Sequence, residues 1–350
     1  MPAFRPGGIR AEIIEAYRRD LENAEANFDV RYAANSCPKE DITGFTAEEL
    51  IARGGFGTVY KARKDGKVYA IKKQPKGERR VKLIREKKTQ YAFSNIFLVE
   101  LLSTCTTPSQ TYMIMEYAPY GDLYNIGSIP HPETRLKVLL AQVVLGLEYI
   151  HRCNLIYRDL KPANILVFGK GLLKICDFGV TVRASSEPRG PCGTLRFTSP
   201  EMYRDEPYDC AVDWWALGIM MYELLTEKSA CPFYECSRLS RSERIELICL
   251  TEPKQLQSPP HSDQAKEIMA QLLFKDSKRR LGSGSGGCEG LKKHAWFSDI
   301  DFDNLIVEQD FPLIELPPEE QRTGKDPIHF NDDDPQPSCP DPKKDPYAHF

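Results

Sequence analysis

Tyr157-Arg158-Asp159-Leu160-Lys161-Pro162-Ala163-Asn164, followed by Asp177-Phe178-Gly179, is the stretch around which the rest of the chain is read. It contains the parts of a phosphoryl-transfer site. Asp159 can orient a substrate hydroxyl and accept its proton, Lys161 can steady a γ-phosphate, and Asn164 with Asp177 can hold Mg²⁺ through oxygen ligands. The spacing is demanding: base, lysine and asparagine come from one short loop, and the second metal carboxylate arrives a hairpin later. Asp159 and Lys161 alone would read as a solvated surface pair. Asn164 and the Asp-Phe-Gly tripeptide turn that reading into a nucleotide site.

Composition bounds what surrounds this site. A chain of 350 residues exceeds what one core usually serves, so two lobes with appendages are expected. The formal charge of −3 argues against general binding to nucleic acid or anionic membranes. Eleven scattered cysteines without a secretory leader point to a reducing compartment, and the pair Cys231 and Cys236 lacks the second cluster a metal site needs. The most apolar run, residues 136–150, is too short to span a bilayer and includes Lys137, Gln142 and Glu148. Pro2 removes the glycine that N-myristoylation requires.

The loop resembles the catalytic loop of protein kinases, and the rest of the chain falls into place around it. Ile14, Tyr17, Leu21, Ala24 and Phe28 recur at helical spacing and predict one amphipathic helix over residues 9–28, packed across the core, followed by a linker over 34–44. Ile51-Ala52-Arg53-Gly54-Gly55-Phe56-Gly57-Thr58-Val59 reads as a glycine-rich loop between two strands, where backbone N–H groups approach phosphate oxygens. Ala52 replaces the first glycine of the kinase pattern. If that position needs φ > 0, its methyl costs about 1–2 kcal/mol, a five- to thirtyfold loss of ATP affinity. Val68-Tyr69-Ala70-Ile71-Lys72 alternates as a strand and ends on a lysine that reaches the α- and β-phosphates. Its partner must be Glu86, the one acid between Arg79 and Ala92. Residues 112–118 form a strand running into a hinge, with Met115 at the back of the adenine pocket and the backbone of Glu116 to Ala118 reading the adenine edge.

Further on, Pro191-Cys192-Gly193-Thr194 and Ser199-Pro200-Glu201 resemble the end of an activation segment, with Thr194 beside the substrate hydroxyl and Glu201 paired to Arg280. Asp213-Trp214-Trp215-Ala216-Leu217-Gly218 opens an apolar helix that floors the larger lobe, and Asp213 is placed to cap the catalytic-loop backbone.

Together with His294-Ala295-Trp296-Phe297 and the end Tyr347-Ala348-His349-Phe350, these stretches resemble the AGC group of serine/threonine protein kinases, nearest the catalytic subunits of the cyclic-AMP-dependent kinases. The resemblance implies an α+β bilobal kinase fold: an N-terminal helix and linker over 1–44, a kinase domain over 45–297 divided near residue 118, and a C-terminal tail over 298–350. By composition, residues 315–349 read as disordered. The resemblance has that tail wrap over the small lobe, with Phe330 against the adenine pocket and Phe350 supporting the Glu86 helix. It implies ATP and Mg²⁺ as cofactors, a cytoplasmic and also nuclear location, protein substrates, and a cyclic-nucleotide-binding regulatory subunit as partner, although Arg189 replaces the docking aromatic.

Asp122 and Glu223 fall where the group binds arginines upstream of the phosphorylated residue. Ala163 and Arg196 replace two further acids there, so the reading keeps a preference for the farther arginine, through Asp122, and weakens it for the nearer. Gly190 stands where the activating phosphothreonine is usual. The anion that Arg158 holds in relatives then comes from Glu187, from modified Ser185 or Ser186, or the loop is held by a partner. An active serine/threonine kinase is the leading reading. A pseudokinase scaffold that binds ATP is the alternative raised by Ala52, Ala163, Gly190 and Arg196. A small-molecule phosphotransferase would not need Thr194, Glu201 and Arg280 together.

Overall fold

Strand alternation around Lys72 places that lysine in the middle of a sheet. The computed structural model describes residues 6–54, 57–77, 80–126, 129–235, 239–256, 261–284, 287–308, 311 and 328–329. Its N-terminal lobe is built on β1 (Thr46–Gly54), β2 (Gly57–Lys64), β3 (Lys67–Pro75), β4 (Leu101–Thr106) and β5 (Gln110–Glu116). In β3, Lys72 lies opposite Val59 of β2 and Met113 of β5, so its stem is held between two paired strands. One helix of this lobe, α3 (Arg80–Ala92), crosses behind the sheet and carries Glu86.

The larger lobe is organised by α4 (Glu133–Arg152) and α6 (Ala211–Leu225). In α6 only Tyr222 escapes full burial, as expected for a helix whose apolar residues go all the way round. Trp214, Trp215, Leu139 and Leu147 meet in one core with Trp296 and Phe297. Two short strand pairs frame the catalytic loop: β6 (Leu155–Ile156) with β9 (Val182–Arg183), and the hairpin of β7 (Ile165–Val167) with β8 (Leu173–Ile175).

Residues 9–28 do not form one helix. The chain breaks at Asn23 into α1 (Pro6–Glu22) and α2 (Ala24–Ala34), and α2 continues to where the linker was expected. The Asn23 side chain donates to the Arg19 carbonyl (2.8 Å), and its backbone sits at φ −98°, ψ 11°, an asparagine competing with the helix for its own hydrogen bonds. The apolar face keeps its register across the break: Phe28 and Ala24 are buried, and Tyr17 and Leu21 pack on the large-lobe core. Arg31 ties α2 to both lobes, donating to the Ala92 carbonyl (2.6 Å) and the Tyr149 hydroxyl (3.0 Å). From α1, Arg18 pairs with Asp303 (2.7 Å) of α10 (Phe302–Glu308).

The tail returns to the small lobe, where β10 (Ile328–His329) pairs antiparallel with β1 and sets Ile328 opposite Ala47. The sheet order is therefore β10-β1-β2-β3-β5-β4. Gly55, Phe56, Phe330, Phe350 and Cys236 lie outside the described residues. Among the described residues, no helix is long and apolar enough to cross a membrane.

Candidate active site

The hairpin of β7 and β8 brings the two halves of the sequence motif together. Ile165 faces Ile175 across it, and one step further the Cys176 N–H donates to the Asn164 carbonyl (2.9 Å). Asn164 and Asp177 are thereby set side by side on the wall of one cavity of about 270 Å³, which Lys72 and Glu86 also line. The Asn164 amide nitrogen donates to the Asp159 carbonyl and to Asp159 Oδ2, both at 2.9 Å. What Asn164 has left to offer is its carbonyl oxygen. Beside the Asp177 carboxylate, it makes a hard-oxygen pair of the kind Mg²⁺ accepts when phosphates complete its shell. Among the described residues, no cluster of three His, Cys, Asp or Glu forms an all-protein metal site.

Asp159 is buried, and Lys161 Nζ lies 2.8 Å from its Oδ2 and 3.1 Å from the Thr194 hydroxyl. Thr194 Oγ1 in turn is 3.5 Å from Asp159 Oδ1. One carboxylate oxygen thus faces the lysine and asparagine while the other faces the activation segment. Asp213 holds this loop from below, accepting from the backbone N–H of Tyr157 (2.9 Å) and Arg158 (2.8 Å) and from the His151 ring (2.8 Å). That anchoring matters because Arg158 and Asp177 both sit at positive φ, 73° and 59°, a conformation costing non-glycine residues about 1 kcal/mol or more. Tyr157 closes the back of the loop, donating to the Cys176 carbonyl (2.5 Å).

Lys72 reaches into the cleft as read from the sequence. Its ammonium lies 2.5 Å from Glu86 Oε1 and 3.2 Å from Asp177 Oδ1. Burial disfavours its charge, but the Glu86 and Asp177 carboxylates more than offset this and hold its pKa above the ordinary lysine value. Ile51, Ala52, Arg53, Gly57 and Val59 line the same cavity from above, and Met115, Glu116 and Ala118 line it from the hinge. Thr58 pairs with Arg53 across the turn. The Glu116 carboxylate is turned to Lys174 (2.7 and 2.8 Å) and the Glu100 N–H (2.7 Å). Ala52 is not among the residues at positive φ, so the affinity penalty raised by its methyl does not arise.

Gly193 packs directly against the catalytic loop. It sits at φ +75°, and a Cβ there would come within 2.6 Å of the Arg158 carbonyl and 2.9 Å of Asp159 Oδ1. Gly193→Ala should lower turnover about a hundredfold by displacing Asp159, because misplacing a reacting group by about 1 Å costs that much. Steady-state peptide kinetics check this, with nucleotide binding as the control.

Arg158 meets neutral acceptors within the chain. Its guanidinium donates to the Val180 carbonyl (2.5 and 2.8 Å) and the Tyr208 hydroxyl (2.8 Å). Glu187 is exposed, and no ion pair joins it to Arg158 among the described residues. Of the acids expected to take substrate arginines, Asp122 is half-buried and accepts the Tyr124 N–H (3.0 Å), with burial raising its pKa. Glu223 corrects the expectation. It is fully buried and accepts from Arg196 (2.9 and 3.0 Å), the Tyr124 hydroxyl (2.6 Å) and the Ser229 N–H (2.6 Å), so it offers no open carboxylate.

Several participants carried no sequence signal of their own. Gln74 approaches Glu86 (3.5 Å), and Leu166, Val99 and Cys176 line the cavity, as core residues of any strand might. Glu201 and Arg280 do meet, in a buried bidentate pair at 2.6 and 3.0 Å.

A family model described as the protein kinase domain matches residues 45–297. The chain belongs to the protein kinase family. It is 30% identical to cAMP-dependent protein kinase catalytic subunit 2 of Drosophila melanogaster, over 84% of this kinase and 85% of the relative. It is 33% identical to the human serine/threonine-protein kinase Sgk2, over 81% of this kinase and 78% of the relative. Against the cAMP-dependent protein kinase catalytic subunit of Dictyostelium discoideum it is 32% identical over 89% of its own length, and there it spans about half (49%) of the relative. With such relatives this is a serine/threonine protein kinase of the AGC type that uses ATP.

Proposed function

We propose that this kinase binds Mg-ATP between its lobes and transfers the γ-phosphoryl group to serine or threonine hydroxyls of protein substrates. Lys72, aligned by Glu86, takes the α- and β-phosphates. Asn164 and Asp177 would hold Mg²⁺, which when bound would neutralise charge on the phosphates. Asp159 orients the incoming hydroxyl and accepts its proton, Lys161 steadies the γ-phosphoryl, and Thr194 closes the site around the hydroxyl. Asp122 favours a basic residue upstream. The observation that carries this reading is the convergence of Asn164, Asp177 and the Lys72–Glu86 pair on one cavity.

The departures that raised the scaffold alternative are compatible with this reading. Ala52 has no positive φ, Arg158 has neutral partners within the chain where Gly190 removes a phosphorylation site, and Ala163 is exposed. The test is transfer of labelled phosphate from ATP to a serine peptide carrying upstream arginines, with Mg²⁺ present and with Mg²⁺ chelated. Phosphoserine that appears only with the cation supports the reading. Nucleotide binding without transfer under any divalent cation would return the scaffold.

A further inference from the structure

The activation segment carries a cation that points back into the chain's own substrate face. Thr194 lies beside the catalytic carboxylate, and two residues on, Arg196 reaches across to Tyr124 (2.9 Å) and to both oxygens of Glu223. Asp122, two residues before Tyr124, borders the active-site loop through its bridge to Leu166. A peptide whose hydroxyl sits at Asp159 and which runs along this face must therefore pass Asp122, Tyr124 and Arg196.

We propose that Arg196 is a built-in occupant of the Glu223 subsite, and that the chain thereby cancels selection for an arginine at the substrate position that would otherwise reach that carboxylate. The inference rests on the reading of peptide transfer given above. The Glu223 side chain has no exposed surface; its Oε1 accepts from Arg196, the Tyr124 hydroxyl and the Ser229 N–H, and its Oε2 accepts from Arg196. A substrate guanidinium could enter only by expelling Arg196, exchanging one charge-assisted pair for another of the same kind. The internal arginine is already tethered beside its partner, whereas the incoming one must be immobilised from solution. The exchange therefore yields no net gain. Lys228, with its ammonium 4.4 Å from the Tyr124 ring centroid, places a second positive charge at the same spot. Arg196 also packs on Phe197 at 4.9 Å, which holds its guanidinium in place from the other side.

The experiment is a binding scan with fluorescent serine peptides in which each of several positions upstream of the serine carries Arg or Ala. It is read by anisotropy in the presence of a non-hydrolysable ATP analogue, on the wild-type full chain, Glu223→Gln, Arg196→Ala and the double variant. In the wild type, no Arg-over-Ala ratio should change more than about twofold on Glu223→Gln. In Arg196→Ala, one position should gain about tenfold or more for arginine, the size of a charge-assisted pair, and the double variant should lose the gain. A wild-type arginine preference that vanishes in Glu223→Gln would overturn the proposal, as would a folded Arg196→Ala that gains nothing. If Arg196→Ala does not fold, the Glu223→Gln comparison decides alone. Transfer to the same peptides is scored separately, so that binding as expected without transfer counts against the kinase reading and not against the plugged subsite.

Discussion

Asp159→Asn should lower the single-turnover rate of phosphoryl transfer about a thousandfold while nucleotide affinity stays within about threefold, since a positioned general base contributes about 10²–10⁴. The substitution is nearly isosteric, and Lys161, Asn164 and Thr194 would still surround the side chain at the distances now seen. The amide can fill the space but cannot take the proton, and it leaves the Lys161 ammonium without its anion. In the proposed reading the nucleotide is held by Lys72, which Glu86 and Asp177 fix in place and which the substitution does not touch. A loss of less than tenfold would show that Asp159 only positions the loop.

The second large effect is on stability. Arg280→Ala should destabilise the large lobe by about 3–5 kcal/mol, the range for breaking a buried ion pair from one side. Arg280 is buried against Trp215 (5.1 Å), pairs with both oxygens of Glu201, and also donates to the carbonyls of Phe274 (3.1 Å) and Ala211 (2.9 Å). Truncation strands one carboxylate and two carbonyls in a dry core. Replacing Glu201 as well, for instance Glu201→Gln with Arg280→Met, should recover part of the loss, because the uncompensated charge disappears. Denaturant titration followed by tryptophan fluorescence reads both variants through Trp214 and Trp215. A midpoint unchanged in Arg280→Ala would mean that the pair contributes nothing to folding.

Where the sequence was legible, the chemistry was local. Asp159, Lys161 and Asn164 share one loop, Asp177 follows one hairpin later, and Glu86 was the sole acid in its helix, so spacing alone nearly fixes their meeting. The Asn23 break was less legible, because the apolar spacing of Tyr17, Leu21, Ala24 and Phe28 is the same whether one helix or two carry it. The Ala52 penalty hung on a dihedral angle that composition cannot supply, and its φ proves not to be positive.

The residues alone pointed to a phosphotransfer site, because a proton acceptor, two oxygen ligands and a lysine with one acid in reach stand at the spacing seen in protein kinases, and the two-lobed fold followed from that resemblance. Only the tertiary structure decided which charges remain available. Glu223 looks like an open binding group in the sequence, yet Arg196 pairs with it, whereas Arg158 donates to the neutral oxygens of Val180 and Tyr208. Whether a buried charge is free or already paired depends on side chains distant in sequence and adjacent in space, and no periodicity records that.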